Sequence, residues 1–288
     1  MRSLGIVANI KKPEVKQTVN LIISWAKNNK IDFFLTEELS KKVGHKENAF
    51  PIEKLPEYSQ FIISLGGDGT MLTSARVVGD KGNPILGINL GGIGFLTEIT
   101  SNNIEKTLDR VLNKGYVLEK RMCLQAKVEV IKSRELFALN DIVIDKGKVS
   151  RLIHLHLYDN EEFVCSYSAD GLIISTTSGS TAYSMAAGGP IINPKIKAII
   201  ASPICPFTLA LRPMVFSEND SLKIMVESKH KESLLTLDGQ VSFKLPSPST
   251  IQVQKAKHYI NLIKFKERSF YEVLRTKLHW GVKPKRGE

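Results

Sequence analysis

The sequence predicts an α/β plus β-rich protein. An N-terminal doubly wound parallel-sheet domain is followed by a C-terminal β-sandwich-like domain. Three observations carry that expectation. In the first hundred residues, short apolar strands alternate with helical patterns, the rhythm of parallel βαβ units. From about Gln125 onwards, short strands follow one another with turn signals between them, as in a layered β fold. The chain closes with a helical stretch, Arg268–Leu278, whose last apolar residues (Leu274, Leu278 and Trp280) need a surface to pack on. That helix is expected to return to the first domain. The expected division is residues 1–100 with 267–288, and residues 101–266.

Leu4–Ala8 reads as a first buried strand. Pro13 can open a helix whose Val15, Val19, Ile22, Ile23 and Ala26 fall on one face. Ile31–Leu35 is strand-like, and residues 36–60 read as polar and loop-rich. Phe61–Leu65 is apolar except for Ser64, as a buried strand should be. It runs into Gly66-Gly67-Asp68-Gly69-Thr70 and then a short helix, with Thr70 as its expected N-cap and Gly79 as its stop. Pro84–Asn89 is another short strand, and it leads into the second glycine-rich turn, Leu90–Thr97. Ligands of open α/β sheets bind beyond the C-terminal strand ends, so both turns are expected at that rim. Ser101–Lys114 reads as a helix with Ile104, Leu108, Val111 and Leu112 inward. The strand candidates after it are Gln125–Ile131, Leu136–Asp145, Leu152–Tyr158, Phe163–Ser168, Leu172–Thr176 and Ile199–Ala201. Leu222–Val226, Ser233–Leu237, Ile251–Gln254 and Asn261–Phe265 complete the set.

The net charge of +11 suits a polyanionic ligand such as a nucleotide. It also suits nucleic acid, but no nucleic-acid motif or aromatic-plus-basic stripe accompanies it. Lysines are scattered, apart from the Lys283–Arg286 tail. Cys123, Cys165 and Cys205 are odd in number and sit among apolar residues, which points to buried free thiols in a reducing compartment. His154 and His156 share a strand face without a carboxylate or cysteine at ligand spacing, and they read as ordinary strand residues. No leader-like or membrane-spanning apolar run is visible, so a cytoplasmic protein is expected.

The first glycine turn carries the clearest chemistry. A strand–glycine loop–helix unit offers bare N–H groups and a helix N-terminus to phosphate. It is neither a P-loop nor a Rossmann fingerprint. Asp68 within it can take a proton from a hydroxyl or hold a metal ion; the plain structural alternative is a helix cap. Asn140-Asp141 places two polar residues inside an apolar strand, where either backbone or a ligand must satisfy them. Tyr167–Pro190 passes from a strand into a hydroxyl-rich turn, a short helix of small residues and Gly-Gly-Pro. Its seven hydroxyls between Ser175 and Tyr183 can donate to ribose or phosphate oxygens. Tyr183 can stack on a base, and Ala182 and Ala186 are expected on one helix face. A Ser/Thr-rich surface loop is the plainer alternative. There is no nucleophile elbow. Asp238-Gly239-Gln240 reads as a hairpin turn.

In this order, Gly66–Thr70, Gly91–Thr97, Asn140-Asp141, Asp170–Pro190 and Asp238–Gln240 resemble the NAD kinase family, ATP-dependent and of bacterial type. The resemblance runs from Leu4 to about Leu278. Gly179–Pro190 is its most specific part, whereas Gly-Gly-Asp-Gly-Thr alone is shared with lipid kinases and distantly with phosphofructokinases. The family implies transfer of the γ-phosphoryl group of ATP to the 2′-hydroxyl of the adenosine ribose of NAD, giving NADP. It implies a divalent ion such as Mg²⁺, and homodimers or homotetramers. The first domain would bind phosphate and ATP, with Gly66, Gly67, Gly69 and Thr70 in the loop; the second would bind the dinucleotide. Asp68 matches the family's proton acceptor. Gly69, Asn140, Asp141, Arg151, Ser168, Asp170, Ser178, Thr181, Ala182, Tyr183, Ser184, Met185, Ala186, Cys205 and Gln240 align with dinucleotide-contacting positions. Phe95 resembles an apolar wall of the adenine pocket. Two departures alter contact geometry but keep the chemistry: Asp141 where many members have Glu, and Thr177-Ser178 where many have Pro-Thr. The competing readings are a lipid or sugar kinase built on the same first loop, and a non-catalytic dinucleotide-binding regulator, which would not need Asp68. A nucleic-acid module would rest on charge alone.

Overall fold

The structure, a computed structural model, describes residues 2–129, 131, 136–148, 151–229 and 232–280. Val130 of the expected Gln125–Ile131 strand and the Lys283–Arg286 tail lie outside the described residues. The chain divides into two compact units, Met1–Lys120 with Ile260–Glu288, and Arg121–Tyr259. The boundary falls at Lys120 rather than near Thr100. The reason is the helix Ile104–Leu112, whose Ile104, Leu108 and Val111 join the core of the first unit. Its companion helix Val15–Asn28 buries Val15, Val19, Ile22, Ile23 and Ala26, together with Thr18 and Trp25. Each buried valine or isoleucine of that set contributes about 1.5–3 kcal/mol. Trp25 Nε1 donates to Asp109 Oδ1 at 2.7 Å and ties the two helices together.

The first unit holds a parallel sheet in the order Ile85–Asn89, Phe61–Gly66, Ser3–Ala8, Asp32–Thr36, Ala49–Phe50. Chain order therefore reverses between Ser3–Ala8 and Phe61–Gly66, which makes their carboxyl ends the topological switch point of the sheet. Residues 36–60, expected to be loop-rich, contain the helices Glu37–Val43 and Leu55–Tyr58. Thr36 Oγ1 accepts the Leu39 N–H at 3.3 Å, Glu37 and Glu38 occupy the first turn, Lys41 and Lys42 the last, and Gly44 closes the helix. These are ordinary helix-boundary signals hidden in a polar stretch. The helix after the first glycine turn spans Asp68–Val78 with Gly67 at the N-cap, three residues earlier than expected, and it stops at Gly79. The closing helix Phe270–Leu278 belongs to this unit and buries Val273 and Leu274, whereas Trp280 is 52% exposed.

The second unit is antiparallel. One six-stranded sheet runs Met214–Ser217, Ala198–Ile204, Gly171–Thr176, Asp141–Asp145, Glu232–Leu237, Val241–Pro246. A second layer pairs Glu162–Ala169, Ile153–Asp159, Leu222–Glu227 and the first part of Ser249–Lys264. Ile142, Ile144, Leu172 and Ile174 of the first layer share one core with Leu155, Ile224, Val226 and Ile251 of the second. The alternation of strand side chains requires this sandwich, since each layer has one apolar face to bury. Ser249–Lys264 is one 16-residue strand where two short ones were expected; Lys255, Lys257 and His258 broke the apolar pattern. Among the described residues no helix is long and apolar enough to cross a membrane. The cysteines are free, but Cys205 is exposed, at φ 44, not buried as expected.

Candidate active site

In the first unit a cleft of about 930 Å³ opens at the switch point, lined by Ala8, Asn9, Lys12, Gly67, Gly69 and Thr70 among others. Its volume lies within the range of small-molecule sites. Asp68 stands at the first position of its helix but caps nothing. Its carboxylate is held by the second glycine turn instead. Oδ2 accepts the Phe95 N–H at 2.9 Å, and Oδ1 accepts those of Leu96 at 3.0 Å and Thr97 at 3.3 Å. A carboxylate has about four acceptor sites, so these three bonds leave Oδ2 with a lone pair for another donor. Asn89 braces the turn, donating from Nδ2 to Thr97 Oγ1 at 3.2 Å and accepting the Gly91 N–H at 2.9 Å. Gly94 is dictated by this dock, because a Cβ there would stand 2.3 Å from Asp68 Oδ1. The two glycine turns therefore form one rigid assembly around a single carboxylate.

In the second unit the expected Leu136–Asp145 strand breaks into Leu136–Ala138 and Asp141–Asp145. Asp238 is the cause. Its carboxylate accepts the N–H groups of Leu139 at 3.0 Å, Asn140 at 2.7 Å and Asp141 at 3.1 Å. Asp238 and Gly239 both have positive φ, as a tight hairpin turn of this type requires. Asp141 is buried beside this second carboxylate. Burial first, and the Asp238 charge second, push its pKa up to about 7. Tyr183 is 47% exposed, and its phenol is pushed upward by burial and then by Asp145, Cys205, Asp141 and Asp170. Asp170 pairs with Lys146 Nζ at 2.5 Å.

The hydroxyl-rich run is mostly self-bracing, contrary to the expectation of seven donors to a ligand. Thr176 Oγ1 donates to the Leu139 carbonyl at 2.7 Å, and Ser180 Oγ to that of Thr177 at 2.7 Å. Thr181 Oγ1 donates to the Ser178 carbonyl at 3.2 Å, and Ser178 Oγ accepts from Arg121 Nη1 at 2.9 Å. Ser184 Oγ bonds Ser202 Oγ at 2.9 Å. Ala182, at φ −110 and ψ −127, lies between a 3-10 turn (Gly179–Thr181) and the single helical turn Tyr183–Ala186. It therefore does not share a helix face with Ala186. Gly179 packs against the backbone of that strand break, and a Cβ there would meet the Asn140 carbonyl oxygen at 2.1 Å.

Both halves of this architecture have known counterparts. Residues 4–116 match the ATP-NAD kinase N-terminal domain and residues 139–265 the ATP-NAD kinase C-terminal domain. The NAD kinase of Caldanaerobacter subterraneus subsp. tengcongensis is 38% identical over 283 residues, 96% of this chain and 99% of that protein. The chain belongs to the NAD kinase family. A second relative, the NAD kinase of Syntrophotalea carbinolica, is 37% identical over 98% of this chain and 99% of its own. The crystal structure of an NAD kinase from Archaeoglobus fulgidus in complex with ATP superposes with a TM-score of 0.78 at 26% identity, over 97% of this chain and 99% of that one. Yeast NADH kinase complexed with NADH shares the fold, with a TM-score of 0.91 at 22% identity over 100% of this chain and 90% of that one.

Against the positions that the family resemblance pointed to, the first unit gathers Gly66, Gly67, Asp68, Gly69, Thr70 and half-buried Phe95 at one rim. In the second, Asn140 and Asp141 lie buried beside Asp238, Asp170 pairs with Lys146, Tyr183 and Cys205 are exposed, and Ser178, Thr181 and Ser184 are buried as braces. Met185 is half-buried, Ala186 exposed, and Gln240 exposed in the Asp238–Gly239 turn. Ser168 turns away, its Oγ 3.1 Å from His154 Nδ1, on a hollow shared with Glu227 and Lys229. Arg151 is exposed ahead of its strand. Sequence reasoning missed Asn89, Gly94 and Arg121. The Gly91–Thr97 turn was legible, but which of its amides would meet Asp68 was not. Among the described residues no group of three or more potential ligands gathers for a metal ion.

Proposed function

We propose that this protein transfers the γ-phosphoryl group of ATP to the 2′-hydroxyl of the adenosine ribose of NAD, forming NADP. The observation that carries the reading is Asp68, a carboxylate docked by three backbone N–H groups within the glycine loop whose Gly67, Gly69 and Thr70 line the switch-point cleft, in a chain matching both NAD kinase domains. Oδ2 takes the ribose 2′-hydroxyl proton as the oxygen attacks the phosphorus in line. Proton acceptance of this kind is typically worth about 10²–10⁴ in rate. The rest of the catalysis is positioning and charge stabilisation. The Gly66–Thr70 loop, at the N-terminus of an 11-residue helix, receives phosphate oxygens. Phe95 walls the adenine.

Asn140, Asp141, Asp170 and Tyr183 hold the dinucleotide. Thr181, Ala182, Ser184, Met185 and Ala186 shape the backbone around it, and Gln240 approaches from the hairpin turn. Arg151, Ser168, Ser178 and Cys205 contribute as the family alignment implies, Ser178 by bracing rather than by direct donation. Mg²⁺ accompanies ATP as substrate. Exposed apolar side chains on the second unit, Phe207 at 84% and Leu209 at 93%, support a homodimer or homotetramer. The free thiols support a reducing, cytoplasmic setting. Incubating purified protein with ATP and NAD, diacylglycerol or fructose 6-phosphate tests the reading. NADP is the expected product, and phosphorylation of either of the other acceptors in its place overturns it.

A further inference from the structure

The turn that docks Asp68 is itself gripped from its other side. Gly94–Glu98 presents its amides to Asp68 and several of its carbonyls to Arg268. Arg268 Nη2 donates to the Gly94 carbonyl at 2.8 Å, and Nη1 donates to the carbonyls of Thr97 and Glu98. The Arg268 side chain is 19% exposed. A second grip comes from Glu98, whose side chain is 1% exposed. Its Oε1 accepts the Phe265 N–H at 2.7 Å, and its Oε2 pairs with Lys264 Nζ at 2.9 Å. The Glu98 N–H donates to the Gly87 carbonyl at 2.8 Å, which anchors the far end of the turn to the parallel sheet. The planar guanidinium is the side chain suited to this task, because its fixed fork reaches several acceptors at once.

We propose that Arg268 is a positioning residue for phosphoryl transfer. It fixes the Gly94–Glu98 turn so that the Phe95, Leu96 and Thr97 amides hold Asp68 in one orientation. The inference rests on the assignment of Asp68 as proton acceptor. It gives the returning C-terminal segment a role in the reaction beyond packing. Arg268 touches no reacting atom, so its removal acts on turnover through the turn that docks Asp68.

The test combines kinetics with amide hydrogen exchange on the full chain. Arg268→Ala is expected to lower kcat by about 10- to 100-fold, the scale of an ångström-sized misplacement. The loss should fall mainly on kcat, with a smaller rise in the KM of the nucleotide whose adenine Phe95 walls, since Phe95 belongs to the same turn. Exchange in peptides covering residues 94–98 should accelerate. In an Asp68→Asn background the same change should cost nothing further, because residues that act as one unit do not add. Arg268→Lys keeps the charge but not the fork and should recover turnover only in part. It also carries the same measurements if Arg268→Ala does not fold. Unchanged kcat, unchanged exchange at 94–98, or an equal loss in both Asp68 backgrounds overturns the proposal. Should the wild-type protein make no NADP, the functional reading falls, and exchange at 94–98 still decides whether Arg268 holds the dock.

Discussion

Gly94→Ala is the sharpest perturbation of the Asp68 dock. The added methyl would stand 2.3 Å from Asp68 Oδ1, 2.9 Å from Asp68 Cγ and 2.5 Å from Thr97 Oγ1. Ordinary contact begins near 3.4 Å. The carboxylate must therefore retreat by about 1 Å, a displacement that can cost on the order of 10²-fold in rate when it moves a reacting group. Overpacking of this kind destabilises by about 1–3 kcal/mol, so the folded protein should survive with a melting temperature lower by a few degrees. Gly92→Ala in the same turn is the matched control, because a Cβ at Gly92 meets nothing within 4 Å. The assay is the initial rate of NADP formation, coupled to an NADP-specific dehydrogenase, at varied NAD and ATP. The expected result is a roughly 10²-fold lower kcat for Gly94→Ala with KM values little changed, and near-normal kinetics for Gly92→Ala. A Gly94→Ala enzyme with near-normal kcat, or two variants equally impaired, would refute the dock as a catalytic device.

Asp68→Asn should lower kcat by about 10²–10⁴ while NAD still binds, as calorimetric titration would report. Asp141→Asn should change the pH dependence of stability. The folded-state pKa of Asp141 is raised from 3.8 to about 7, so between those values the folded chain binds more protons than the unfolded one, and stability is lost as pH rises. Removing the carboxylate should therefore leave stability at pH 4 nearly unchanged and raise it at pH 8 by on the order of 4 kcal/mol; melting curves across that range that stay parallel to wild type would contradict this. Tyr183→Ala should weaken NAD binding by about 1–3 kcal/mol, the worth of one aromatic–base stack, without moving the melting temperature of a side chain that is 47% exposed. Equal affinity in the two proteins would remove Tyr183 from the nucleotide site.

Periodicity made the fold class legible, and glycine density marked the two turns. Strand Phe61–Gly66 and helix Val15–Asn28 followed from apolar spacing alone, since each buries one continuous face or run. What was not legible has a common cause in long-range polar contacts. Asp68 looked like a free carboxylate or a cap, and its real partners lie 27 to 29 residues away. Asp238 looked like a hairpin residue, yet it breaks a strand 97 to 99 residues earlier by capturing three amides. The same applies to Ser178, whose partner Arg121 lies 57 residues upstream. Side chains of this kind satisfy backbone or one another in the folded chain, and a local window cannot tell that from readiness to bind a ligand. Ala182 shows the converse error, because a helical spacing was read across a residue whose backbone is not helical.

The central claim is that the acceptor is the adenosine 2′-hydroxyl of NAD. Phosphorus NMR of the product formed from ATP and NAD by the purified protein tests it most directly. One new phosphomonoester resonance is expected, scalar-coupled to the adenosine ribose 2′ proton, with the pyrophosphate bridge intact. A phosphate on any other oxygen, or no new resonance under conditions where a known NAD kinase turns over, would contradict it.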